Sequence, residues 1–278
     1  MPPDEWQVRL LAAAAGDVAA LGGWRKVRDL SVLSVASGVL LVLACDSNGG
    51  IGPKSRDTVR TTGYELGRLA ARVPLEEVIA CGATPILLVD TLSVEREPTG
   101  AAIIAGIRDE MRDAGMDAAH ALNGSTEDNV PTVATGVGIV VLGLAAEARF
   151  RPGRAHAGDI VLCVGVPKSA PRHRVLADDP DILRPGALRQ LAAVDMIGDI
   201  LPVGSRGVHA EAHDLAAFAG LSFVPDAAPA VDVTASGGPG TCCVVAIPPD
   251  AVATVHALAT MPPIVAIGRL RAGPGENT

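Results

Sequence analysis

The chain has 278 residues, of which 49% are hydrophobic and 2% aromatic, with 31 glycines and 21 prolines. That apolar content, at a mean hydropathy of +0.34, excludes a disordered chain, and a net charge of -8 excludes nucleic-acid backbones as the main partner. The apolar runs Val39–Cys45 and Val137–Ala146 fall short of the ~20 residues that cross a bilayer. Asp4, Glu5 and Arg9 stand where a signal peptide carries its basic and apolar regions, so a cytoplasmic protein without a membrane partner is expected.

In chain order, Asp4 to about Leu21 places Trp6, Leu10, Leu11, Ala14 and Val18 at helical spacing. The β-rich pieces Leu30–Val35 and Val39–Cys45 are joined by Ala36-Ser37-Gly38 as a hairpin turn. A polar, glycine-rich loop follows over Asp46–Asp57. The helical pattern of Tyr64–Cys81 is interrupted by Pro74, which predicts a kink or two short helices. Pro85–Asp90 is an apolar strand that stops at a carboxylate. Thr99 through Gly115 predicts a helix capped by Thr99 and stopped by Gly115, with Ile103, Ile104, Ile107 and Met111 as its buried stripe. The polar loop Asn123–Pro131 then precedes a strand over Thr132–Leu142.

Glu147–Gly158, with Arg149, Arg151, Pro152, Gly153 and Arg154, is a polar, turn-rich connector. It divides the chain into two expected domains, 1–147 and 148–278. Beyond it come a strand (Asp159–Val166), a proline-rich excursion, a helix near Gly186–Met196 and a strand–helix unit from Asp199 to Gly220. Strands Thr241–Ile247 and Ile264–Leu270 flank a last helix after Pro249. No repeat is visible. Cys45, Cys81, Cys163, Cys242 and Cys243 form no C-x-x-C pair and sit in apolar runs, which predicts reduced thiols rather than zinc ligands. His209 and His213 share a helix face but have no third ligand in the pattern.

Three segments carry candidate chemistry. The first is Ala44-Cys45-Asp46-Ser47-Asn48-Gly49-Gly50-Ile51-Gly52-Pro53-Lys54: a strand delivers a carboxylate, glycines expose backbone N–H groups, and a lysine closes the loop. Glycines let the backbone approach phosphate oxygens, and a carboxylate suits Mg²⁺. A P-loop is excluded, because Pro53 separates Gly52 from Lys54 and no helix starts there. The second is Asn123-Gly124-Ser125-Thr126-Glu127-Asp128-Asn129, dense in oxygen ligands and amides. The third is Asp90-Thr91 at a strand end, followed by Glu95 and Glu97. Taken singly, the first is equally a glycine-rich surface turn, the second reads better as a solvated loop, and the third is equally a loop cap. Together, Asp46, Lys54, Asp90, Glu127 and Asp128 fit electrostatic clamping of a Mg-nucleotide.

The order strand–Asp–Gly-rich–Lys, helix, Cys81-Gly82-Ala83-Thr84-Pro85, strand–Asp90, helix, Asn123-Gly124-Ser125-Thr126, strand resembles the ATP-binding superfamily of aminoimidazole ribonucleotide synthetase. Thiamine-monophosphate kinase and selenophosphate synthetase belong to it. Glu77 stands where that family has Asp, Ser125 where it has an acidic metal ligand, and Val32–Gly38 lacks its acidic motif. Ala44–Gly52, Leu122–Glu127 and Pro202–Gly207 most resemble the branch containing α-ribazole kinase of cobamide salvage.

The resemblance implies an α+β, PurM-like two-domain fold. Its N-terminal α/β domain would form a dimeric β-barrel in a homodimer, beside a C-terminal α+β domain. It further implies Mg-ATP-dependent phosphoryl transfer to a small nucleoside-like alcohol such as α-ribazole. Asp46, Asp90, Glu127 and Asp128 would hold Mg²⁺. Gly49, Gly50, Gly52, Lys54, Asn123, Gly124, Ser125 and Thr126 would bind ATP, and Asp46, Lys54 and Asp128 would carry catalysis. Another ATP-dependent transfer, a ring closure, or silent nucleotide binding remain the alternatives.

Overall fold

The computed structural model describes residues 5–273. The chain opens with helix α1 (Glu5–Ala14) and a 3-10 turn (Val18–Leu21), and continues through β1 (Arg25–Val27), β2 (Leu30–Ala36), β3 (Val39–Gly49), β4 (Ile51–Gly52) and β5 (Val59–Arg60). Helix α2 (Gly63–Ala80), β6 (Thr84–Leu92), α3 (Ala101–Asp113), β7 (Leu122–Thr126) and β8 (Gly136–Ala146) follow. The remainder holds β9 (Ile160–Val164), α4 (Pro185–Ala192), β10 (Asp199–Pro202), α5 (Val208–Phe218), β11 (Leu221–Pro225), β12 (Cys243–Ile247), α6 (Val252–His256) and β13 (Ile264–Ala272). Asp4, the first residue of the expected N-terminal helix, lies outside the described residues. No described helix is long and apolar enough to cross a membrane.

The strands make an α+β protein with two main sheets. A six-stranded sheet runs β1-β2-β3-β8-β6-β7, and a five-stranded sheet runs β10-β12-β9-β13-β11. In the first sheet only β6 and β7 pair in parallel. Strict alternation builds its core face: Leu40, Val42 and Ala44 of β3 and Val137, Ile139 and Val141 of β8 are buried beneath α2 and α3. One continuous apolar cluster joins this face to Leu162, Val164, Cys243 and Val245 of the second sheet. The opposite face of the second sheet packs α5 through Val208, Ala212 and Leu215.

Four expectations are corrected. Two short helices do not form, because α2 continues across Pro74; burial on nearly every side offsets the lost N–H bond. Thr99 does not cap α3: a π-type turn (Arg96–Gly100) precedes the helix, and the Thr99 hydroxyl donates to Glu95 instead. Asp46 and Asp90 do not end their strands, because pairing with β8 carries β3 on to Gly49 and β6 on to Leu92. Asn123–Thr126 is not loop but strand, held by its ladder to β6 rather than by β propensity.

Helices α2 and α3 cross with backbones nearly touching. A Cβ on Gly67 would stand 2.0 Å from the Ile103 carbonyl oxygen, and one on Gly106 2.0 Å from that of Tyr64. Beside this crossing, Arg72 is 0% exposed. Its Nε donates to Glu110, also 0% exposed, and its other nitrogens donate to the carbonyls of Leu183 and Ala177. Arg68 donates to the other Glu110 oxygen and to Asp178. Arg72→Leu would leave Glu110 half-paired and two carbonyls bare, so it should destabilise the fold by about 3 kcal/mol or more. Urea unfolding followed by circular dichroism measures this; a change under about 1 kcal/mol would refute it.

Candidate functional site

An open cleft of about 1400 Å³ lies between the two halves of the chain. The even-numbered face of β3, buried from Leu40 to Ala44, runs out of the core at Asp46 and presents it to the cleft. On α2, Leu69, Val73 and Glu76 fall on one helical face and line the same wall with Glu77. Val203–Ser205 and Ser236–Gly240 close it from the second half.

This wall is acidic. Burial raises the pKa of Asp46, against hydrogen bonds from the Ser47 N–H and the Asn48 amide. Glu77 is pushed up to about 8 by burial and then by the charge of Asp29, with Glu211 and Asp46 adding to it. Burial also lifts Glu211, although Arg206 pairs with it. Glu76 is 0% exposed, neither of its oxygens has a partner among the described residues, and burial raises its pKa well above the ordinary value. Asp29, in the β1–β2 turn, Glu76 and Glu211 belong to no motif of the sequence, and Asp29 lies just upstream of Val32–Gly38, where the family has its acidic motif.

The other expected site residues part company. Asp46 and Asp90 both stand opposite Ile139 of β8, so two strand spacings, about 10 Å, separate them. Asp90 meets Asn123, Gly124, Ser125 and Thr126 in a second recess of about 460 Å³. Asp90 is 2% exposed, and burial pushes it up to about 6 against the pull of Arg96 and Arg108. Lys54 lies in neither: its ammonium pairs with Glu95 and donates to the Thr132 carbonyl. Glu127 accepts the N–H groups of Asn129 and Val130. Asp128 accepts the Arg96 N–H and the Thr126 hydroxyl, which hold its pKa down.

The glycine strap is shaped from within. Gly52 has φ +146°, and a Cβ there would stand 2.6 Å from the Thr135 hydroxyl and 2.9 Å from Asp57. Asp57 accepts the Lys54 N–H, the Thr135 N–H and the Thr135 hydroxyl. No spacing in the sequence pointed to Asp57. Gly49 and Gly50 face more open space.

Among the described residues, no three His, Cys, Asp or Glu side chains are grouped to hold a metal ion. Mg²⁺ asks for less, since it takes one or two carboxylates together with phosphate oxygens and waters. Asp46, whose only side-chain partner among the described residues is Asn48, fits that requirement.

Because the Asp90 pKa is raised in the folded chain, its carboxylate form weakens the fold. The penalty is absent below the ordinary carboxylate pKa and complete above about 6. Asp90→Asn should therefore gain stability over the wild type as pH rises from 4 to 6, reaching on the order of 2 kcal/mol at pH 7. Paired chemical denaturation across that range tests this, and a pH-independent difference would refute it.

A model of the family described as AIR synthase related protein, N-terminal domain, matches residues 27–145. No curated protein sequence matches the chain. Among solved structures, thiamine-monophosphate kinase from Stenotrophomonas maltophilia K279a superposes with a TM-score of 0.62 at 17% identity, covering 98% of this chain and 95% of its own. T. maritima PurL complexed with ATP gives 0.66 at 14% identity, with 98% of this chain and 49% of that one covered. E. coli HypE, a hydrogenase maturation protein, gives 0.60 at 16%, covering 83% and 80%. The chain thus has the PurM-like fold, and its residues 27–145 are similar to the AIR synthase related N-terminal domain.

Proposed function

We propose that the cleft binds Mg-ATP and that the chain transfers its γ-phosphoryl group to a small nucleoside-like alcohol, with α-ribazole the acceptor to test first. One observation carries this reading: a cleft of about 1400 Å³ with Asp46 on its wall, larger than the ~300–1,000 Å³ of a pocket for one ligand. Two substrates fit side by side. The family match, and the nucleotide complexes among proteins of this fold, support a nucleotide as one of them.

In this reading the Asp46 carboxylate holds the metal ion, while Asn48 keeps the carboxyl turned into the cleft. The bound Mg²⁺ neutralises phosphate charge and so eases the transfer. Gly49, exposed and without a side chain, lets phosphate approach the backbone closely, while Gly50, whose N–H is held by the Thr135 carbonyl, fixes the turn beside it. Lys54 reaches a phosphate by exchanging Glu95 for it, a small change for a pair partly open to water. Val203–Ser205 and Ser236–Gly240 hold the acceptor from the opposite wall.

We further propose a homodimer. The face of the six-stranded sheet away from α2 and α3 presents Leu41, Leu43, Val89, Val140 and Leu142, all half-buried, with Ile86 and Leu144 exposed. A contiguous apolar face of this kind calls for a cover, and a second copy of the same sheet is self-complementary to it. Light scattering at micromolar protein should give a dimer, and Leu144→Arg a folded monomer. A wild-type monomer would refute the dimer.

Calorimetric titration with Mg-ATP, followed by ADP release over a panel of nucleosides, tests the activity. Asp46→Asn should cost about 2–3 kcal/mol of transition-state stabilisation, roughly a 30- to 150-fold loss of turnover. Its melting temperature without ligand should stay level or rise. Wild-type affinity and turnover in that variant would sink the assignment, and tight ATP binding with no turnover on any acceptor would leave a nucleotide-binding protein.

A further inference from the structure

The recess of about 460 Å³ at the β7 edge of the six-stranded sheet differs in charge from the cleft. Arg96 and Arg108 line it, both exposed, and neither guanidinium has an ion pair or hydrogen bond among the described residues. Beneath them lies Asp90, 2% exposed, with Oδ1 unpartnered. The neighbouring β7 residue, Gly124, leaves that carboxyl its space: a Cβ there would stand 2.3 Å from Oδ1. A buried acceptor without a donor is costly, and two free guanidinium groups above it repel a metal cation. An anion that also offers a hydrogen-bond donor satisfies all three groups.

We propose that this recess binds, without a metal ion, a phosphate monoester that carries a free hydroxyl near the ester. Arg96 and Arg108 take the phosphate, and Asp90 accepts the hydroxyl's hydrogen bond. Charge selects the class: a phosphate monoester approaches two negative charges at neutral pH, which two guanidinium groups match in both charge and fork geometry. The ligand's role rests on the phosphoryl-transfer reading, since a kinase acting on a nucleoside-like alcohol makes a product of this class. The recess then holds the product's phosphate away from the cleft.

Ribose 5-phosphate is the probe, titrated into the full chain in EDTA by calorimetry. Saturable binding is expected, with none for ribose. Arg108→Gln, at an exposed position without partners, should weaken the binding roughly tenfold. Asp90→Asn should reduce ribose 5-phosphate to the affinity of inorganic phosphate, and Asp46→Asn should leave it unchanged. Absence of saturable binding, a requirement for Mg²⁺, indifference to Arg108→Gln, or displacement by saturating Mg-ATP would each overturn the proposal. Intact ribose 5-phosphate binding in a chain that fails to bind Mg-ATP would instead sink the phosphoryl-transfer reading alone.

Discussion

The way the second half of the chain is held against α2 depends on Arg72. This wholly buried guanidinium lies between α2 and α3 and reaches two carbonyls of the second half, at Ala177 and Leu183. A buried ion pair of this kind adds little net stability, because desolvation cancels much of the attraction. It is exacting about geometry, however, since each N–H must find its acceptor or leave it bare. Apolar packing between the halves tolerates sliding; the Arg72 fork does not, and the pairs Arg28–Asp199, Arg68–Asp178 and Arg184–Asp113 act beside it across the same boundary. Together they set how far the second half stands from α2, and therefore how wide the cleft is.

The molecule also sorts its charges. A chain with an excess of acids gathers Asp29, Asp46 and Glu211 around Glu77, whose pKa burial raises first and their charges raise further. At the far edge of that sheet it sets Arg96 and Arg108 over a single carboxyl. The first arrangement suits a cation brought in with phosphate, and the second suits an anion alone. Lys54, which a linear reading of the glycine strap aims at phosphate, is paired with Glu95 in the free chain. The strap's shape owes more to Asp57 and Thr135 than to any ligand.

Much of the N-terminal half was legible in the sequence because its signals are periodic. The alternation in Val39–Cys45, the stripe Ile103, Ile104, Ile107 and Met111, and the αL stop at Gly115 each report a local rule that the fold keeps. What escaped depends on partners distant in sequence. Strand β7 is polar and glycine-bearing and becomes a strand only because β6 offers a parallel ladder. The pairing of Lys54 with Glu95 spans 41 residues, and Asp57 finds Thr135 across 78. Motif order placed Asp46 and Asp90 in one site; the sheet register puts them on different strands with β8 between.

Ile139, wholly buried opposite both carboxylates, acts as a ruler. The gap between the acidic cleft and the arginine recess is fixed by backbone ladders on either side of β8, whatever loops surround the two sites. Those loops can be lengthened, trimmed or recharged without altering the distance between the two carboxylates. Whatever occupies the cleft and the recess therefore meets a constant baseline, in the way that two jaws on one rigid bar keep their span while their teeth are recut.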